Sequence, residues 1–384
     1  MKIVIVSPFA PPEQGACSYR VHSYIDFLKK NGHAVQVLSP ERNNVKGQGS
    51  IRRYNGITDL MSLVFHGKYD IVLGTSPPLT HSFFALLAAK FSGKKFVLEA
   101  RDLWTYALKK LGTYNKFSPK LFVYSIFELI SYRFSDKLFG VTPGLVKVWN
   151  KSLPANKKAV LILNGTDTSL FKPSETERKI ARCKLGINKK AVLGAYAGSF
   201  SDWELDTLLM KLVPMFKSRK NFFFLLVIST ASCPEKFAKI KQILGENGIE
   251  KKVFVADLAG LAFDRATKKI SRYLSAADFA VSCTPKGFDF YLQVKNYDYM
   301  AMNLPIIALG PKQGDLKQIF KQHKIGYYCG GWNELKEKIG FAADNIESMK
   351  KRFPKNRVVA ENYFLRDRSN AKALKEFESL VSRL

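Results

Sequence analysis

Short apolar runs alternate with amphipathic stretches along this chain, and that alternation limits what it can fold into. The first run is KIVIV, residues 2–6. The stretch from about Ser18 to Asn31 has helical spacing. Its apolar stripe is Val21, Tyr24, Ile25 and Leu28, with Lys29 and Lys30 in the last turn and Gly32 as the stop. Further strand-like runs are Ala34–Leu38, Ile71–Gly74, Phe96–Ala100, Leu138–Thr142 and Val160–Leu163. A second series holds Val192–Ala197, Phe222–Ile228, Val253–Val255, Phe279–Ser282, Ile306–Leu309 and Tyr327–Cys329. Strands that alternate with helices form parallel sheets covered on both faces. The expected class is α/β, with two Rossmann-like, doubly wound domains facing a central cleft.

The break between the series falls in Asn164–Asn188, which contains Gly165, Pro173 and a run of charges. The expected domains are residues 1–172 and 173–365. A last helix, about 366–384, presents Leu374, Phe377 and Val381 on one side and is expected to cross back to the first domain. A chain of 384 residues with 46% apolar composition has material for two cores.

The charge balance is extreme: 61 basic against 32 acidic residues, a net +29. Such a chain meets something anionic: nucleic acid, a membrane surface or a phosphorylated substrate. The basic residues are spread through both halves rather than gathered in a tail. Five widely spaced cysteines show neither a disulfide framework nor a C-x-x-C zinc pattern. The opening MKIVIVSPFAPPE reads as a first strand, and no apolar run approaches the ~20 residues that span a bilayer. The expected location is cytoplasmic, peripheral on the inner face of the cell membrane.

Ligands of parallel sheets bind beyond the carboxyl ends of the strands. The residues that follow each run are therefore the candidates. In FYLQVKNYDYMAMNLPIIAL, residues 290–309, Lys295 and Asp298 are three apart and share a helix face. An ammonium there suits a diphosphate and a carboxylate suits ribose hydroxyls; an ordinary surface ion pair has the same spacing. Gly15, after the first strand, lets backbone N–H groups turn toward a phosphate, or simply makes a turn. Arg101 and Asp102 follow Phe96–Ala100. The arginine can grip a phosphate and the carboxylate can orient a sugar hydroxyl, or the two can close their own loop. Gly198 and Ser199 form a small-residue turn after Val192–Ala197. The histidines lack metal-ligand spacing.

Taken together, VIVSPFAPPEQGACSYRVHSYIDFLKKNGHAVQVLS, YDIVLGTSPP, FVLEARDLW, LNGTDTSLFKP, AYAGSF and VKNYDYMAMNLPIIALGP resemble, in order, the family 4 retaining glycosyltransferases of the GT-B fold. The branch they resemble acts in bacterial surface-polysaccharide assembly. The resemblance implies that Lys295 contacts the diphosphate of a UDP- or GDP-type sugar donor and that Asp298 binds its ribose. It places Asn296, Gly198, Ser199 and Gly15 in the donor site, and Asp102, Arg101 and Lys295 in the catalytic group. The sugar nucleotide is a substrate; no cofactor or metal is implied. Lys295, Arg101 and helix N-termini would stabilise the departing diphosphate. Where the family often carries two glutamates eight positions apart, this chain has Phe290 and Asp298. Where relatives place Arg and Lys after the glycine turn, it reads Ser201-Asp202-Trp203-Glu204.

The implied function is transfer of a hexosyl or N-acetylhexosaminyl unit to a lipid-linked or glycan acceptor in O-antigen, capsule or exopolysaccharide synthesis. The alternative is a non-catalytic subunit of the same fold that binds nucleotide sugar or glycan. A specific nucleic-acid role has only the charge in its favour, with no recognition module. Tyr106–Lys137 interleaves lysines with Leu121, Phe122, Val123, Ile126 and Leu129. It suits an anionic membrane surface, and equally a covering helix whose lysines are merely solvated.

Overall fold

The computed structural model describes residues 1–42, 45–115, 117–154, 158–198 and 205–382. Two compact units result: Met1–Asn164 together with Arg366–Leu384, and Gly165–Leu365. The first unit ends at Asn164, ahead of the boundary expected between residues 172 and 173. Both units carry a parallel sheet with alternating helices, so the doubly wound class holds for each.

The first unit contains β1 (Lys2–Val6), β2 (Ala34–Pro40), β3 (Ile51–Tyr54), β4 (Ile71–Ser76), β5 (Lys95–Ala100), β6 (Lys137–Gly140) and β7 (Val160–Leu161). They lie in the order β3-β2-β1-β4-β5-β6-β7. Ile3 of β1 stands opposite Val35 on one side and Ile71 on the other. The strand order reverses at β1, between β2 and β4, where such sheets place ligands. β3 was not anticipated. Its sequence, IRRY, lacks an apolar run, and an edge strand can carry charges on its open side. Arg53 of that strand pairs with Glu13 at 2.9 Å.

Val21, Tyr24, Ile25 and Leu28, the stripe read from the sequence, form the first unit's core with Ile3, Ile5 and Phe139. The helix Arg366–Val381 joins them through Ala373, Leu374, Phe377 and Leu380. It begins at Arg366 with a charged first turn, and its apolar stripe follows further along. Arg20 is buried beneath it. Its Nη2 donates to Glu99 at 2.9 Å and to the Tyr24 hydroxyl at 2.6 Å, and its Nη1 donates to Asn370 of the returning helix at 3.3 Å. A buried arginine satisfied from three elements fixes how they meet.

The second unit contains β8 (Val192–Ala197), β9 (Phe222–Ile228), β10 (Val253–Asp257), β11 (Phe279–Cys283), β12 (Ile306–Leu309) and β13 (Gly326–Cys329), in the order β10-β9-β8-β11-β12-β13. Its core is aromatic. Phe216 and Phe222 stack with ring centroids 5.3 Å apart, and Phe279 lies 6.4 Å from Phe222. Gly194 leaves room for them: a Cβ there would stand 2.7 Å from the Phe279 ring. The unit's first helix, Glu175–Lys184, begins with a Ser174 hydroxyl that accepts from the Glu177 backbone at 3.2 Å. That S-x-x-E pattern satisfies an otherwise open helix end.

Candidate functional site

In the first unit, β1, β4 and β5 are neighbours, so their exits lie side by side. Gly15 is the N-cap of the helix Ala16–Lys30, with φ 116°. No atom stands within 4 Å of where its Cβ would be, so backbone conformation and not crowding calls for glycine. Arg101 follows β5. Its Nε donates to the Ser76 carbonyl at 3.0 Å and its Nη2 to the Pro77 carbonyl at 3.1 Å. The guanidinium also meets the Cys17 thiol. Arg101 therefore ties the exits of β4 and β5 to the start of the first helix, and part of its donor capacity is engaged within the protein.

Asp102 has a different environment. Its Oδ1 is covered and has no hydrogen-bond partner among the described residues. Burial pushes its carboxyl up to about 6; Arg101 pulls the other way and Glu128 adds repulsion. Glu128 is itself buried, and accepts from Thr105 and, at 2.6 Å, from Tyr132. The outcome is a carboxyl that exchanges its proton near neutrality, with an open acceptor atom. Such a group suits orienting or deprotonating a hydroxyl.

In the second unit, β8 ends at Ala197 and the chain turns at Gly198, whose φ is 129°. β11 leads through Thr284 and Gln293 into the helix Val294–Ala301. That helix brings Lys295 to the glycine turn: a Cβ on Gly198 would stand 3.1 Å from Lys295 Cε and 3.2 Å from Nζ. Backbone conformation calls for glycine here, and a side chain would in addition press on the end of Lys295. The Lys295 ammonium sits 3.7 Å from the centroid of the Tyr196 ring. Its Nζ is shut off from solvent and has no hydrogen-bond partner among the described residues. Burial lowers its pKa to about 7. A ring face attracts a cation but does not replace hydration. Thr284 Oγ1 and Gln293 Oε1, covered atoms of the same strand-to-helix connection, are also without partners there.

Asp298 lies three residues further along, and its Oδ1 accepts the Thr166 hydroxyl at 2.7 Å. Asn296 faces the other way. It is buried, its Oδ1 accepts from Ser282 at 2.8 Å and its Nδ2 donates to the Gln293 carbonyl at 3.3 Å. Its side chain braces the helix against β11. Ser199 and the segment 201–204 lie outside the described residues.

Of the residues singled out from sequence, Gly15, Arg101 and Asp102 belong to the first unit. Gly198, Lys295, Asn296 and Asp298 belong to the second. Sequence reasoning missed Tyr196 and Thr166. Both lie in quoted segments, AYAGSF and LNGTDTSLFKP, but their partners come from distant elements.

No family model and no curated protein matches the chain. Solved structures do. HepE from Anabaena in complex with UDP-glucose is similar over 99% of this chain and 100% of its own, with a TM-score of 0.77 at 14% identity. Sucrose-phosphate synthase from Thermosynechococcus elongatus is similar over 100% of both chains, with a TM-score of 0.76 at 15% identity. WaaG, a glycosyltransferase involved in lipopolysaccharide biosynthesis, is similar over 97% of this chain and 98% of its own, with a TM-score of 0.70 at 15% identity. The fold shared is that of GT-B glycosyltransferases: two Rossmann-like units with parallel sheets.

Proposed function

We propose that this chain is a retaining glycosyltransferase that takes a hexosyl or N-acetylhexosaminyl unit from a nucleoside-diphosphate donor. The acceptor is a lipid-linked or growing cell-surface glycan, and the protein works at the cytoplasmic face of the membrane. One observation carries the reading. Among the described residues the Lys295 ammonium has no hydrogen-bonding partner; it lies over Tyr196, against the Gly198 turn at the carboxyl end of a parallel sheet. A buried amine so placed gains most from an anion with several oxygens. UDP-glucose, bound by a protein of the same fold, is a ligand of that kind.

The roles follow from the chemistry. As the sugar–phosphate bond breaks, negative charge grows on the diphosphate and Lys295 stabilises it there. Asp298 accepts from the donor's ribose hydroxyls. Asp102 orients the acceptor hydroxyl. Retention needs no enzyme nucleophile if the departing phosphate takes the acceptor proton.

A screen of UDP- and GDP-sugars tests this. The expected result is thermal stabilisation by one class and slow hydrolysis of one member, lost in Asp298→Ala. Stabilisation without any turnover, with acceptor glycans present, favours the binding-subunit reading, which Phe290 at the place of an acidic residue supports. Indifference to every nucleotide removes both.

A further inference from the structure

The helix Pro119–Phe134 of the first unit is covered on one side only. Leu121, Glu128 and Ser131 are buried, and Phe127 stacks on Phe83 with centroids 3.9 Å apart. The other side shows Phe122 at 69%, Val123 at 43%, Ile126 at 39% and Leu129 at 69% exposure. These positions follow helical spacing and form one stripe. Phe117, just before the helix, is 90% exposed, and Phe134 at its end is 59% exposed. Single exposed apolar residues are ordinary; a continuous stripe with aromatic ends is an interaction surface.

The charge beside the stripe has one sign. Lys109, Lys110, Lys120 and Arg133 are exposed. From Leu103 to Ser135 the sequence holds one carboxylate, Glu128, and that one is turned inward to Thr105 and Tyr132. An apolar stripe bordered by cations, with no outward anion, matches a layer that is oily beneath and negative on top. Among the described residues no helix is long and apolar enough to cross a membrane, so this contact is made from the side.

We infer that this helix face docks on an anionic lipid bilayer. Phe117, Phe122, Ile126 and Leu129 enter the headgroup–acyl boundary, while the lysines and Arg133 meet lipid phosphates. The inference deepens the proposed function, resting on it only for why a bilayer is useful: the acceptor is anchored there. A second copy of the chain is a poor occupant. Two-fold pairing through this stripe sets the same cations against each other on chains that each carry +29.

Flotation of the full chain with phosphatidylcholine vesicles, with and without phosphatidylglycerol, tests it. The chain is expected to float only with the anionic vesicles and to be released by salt. The double variant F122E/L129E, at exposed positions outside the core, should keep its melting temperature and lose binding at least about tenfold. A Phe122→Trp probe should shift to the blue on anionic vesicles and be quenched by brominated lipid. Undiminished flotation of F122E/L129E overturns the assignment, as does a wild-type dimer that this variant splits while vesicles are ignored. Sugar-nucleotide stabilisation is measured on the same samples. If it is absent while flotation behaves as stated, the enzymatic reading fails and the surface stands; the reverse pattern removes only the surface.

Discussion

Thr166 donates its hydroxyl to Asp298 at 2.7 Å, joining the first residues of the second unit to the helix that carries Lys295. The threonine is fully buried and its own N–H is held by the Phe364 carbonyl at 2.8 Å. It therefore acts as a fixed donor that orients the carboxylate. Thr166→Val keeps the shape and removes the bond. It should weaken UDP or GDP by about 1–2 kcal/mol, and the 2′-deoxy nucleotide much less, with Thr166→Ser restoring affinity. Titration calorimetry with both nucleotides reads this. Equal losses for the two would assign Thr166 to packing alone.

Lys295 makes donor binding depend on pH. Its folded pKa, about 7, lies below the usual lysine value. Above pH 7 the free protein holds it mostly neutral, and a diphosphate must recruit a proton to it. Affinity for a sugar nucleotide should fall as pH rises from about 7, by up to about tenfold per unit. Calorimetry at pH 8 in buffers of different ionisation enthalpy should register proton uptake, and Lys295→Arg should abolish it. The unliganded protein moves the opposite way: the unfolded chain binds more protons between pH 7 and the usual lysine value, so this group adds stability across that window. Flat affinity from pH 6.5 to 9 would exclude the diphosphate role.

Asp102 gives a third expectation. Its folded pKa, about 6, exceeds the ordinary aspartate value, so the folded state binds the extra proton between about 4 and 6 and loses stability as pH rises through that window. Asp102→Asn removes the buried charge. It should stabilise the protein at pH 7.5 by about 1–2 kcal/mol and much less at pH 5. Turnover should drop while donor affinity stays. Thermal melts at both pH values, with kcat and donor Kd, check this; unchanged turnover would remove Asp102 from the catalytic group.

The sheets were legible in the sequence because central parallel strands are apolar on both faces, and VLGAYA, FFFLLVI and IIAL need no partner to be recognised. IRRY escaped because an edge strand needs no such run. Lys295 and Asp298 stood out because their spacing is local. That Lys295 rests on Tyr196, that Thr166 holds Asp298, and that Asn296 turns inward to Ser282 are facts about elements far apart in the chain. Arg101 is similar: its type suggested a phosphate, while part of its capacity is engaged by Ser76 and Pro77.

The helix Arg366–Val381 completes a core begun at Ile3, with the whole of Gly165–Leu365 intervening. During synthesis the second unit emerges in full while Phe139 and Tyr24 still wait for Phe377. The first half to leave the ribosome is therefore the last to finish.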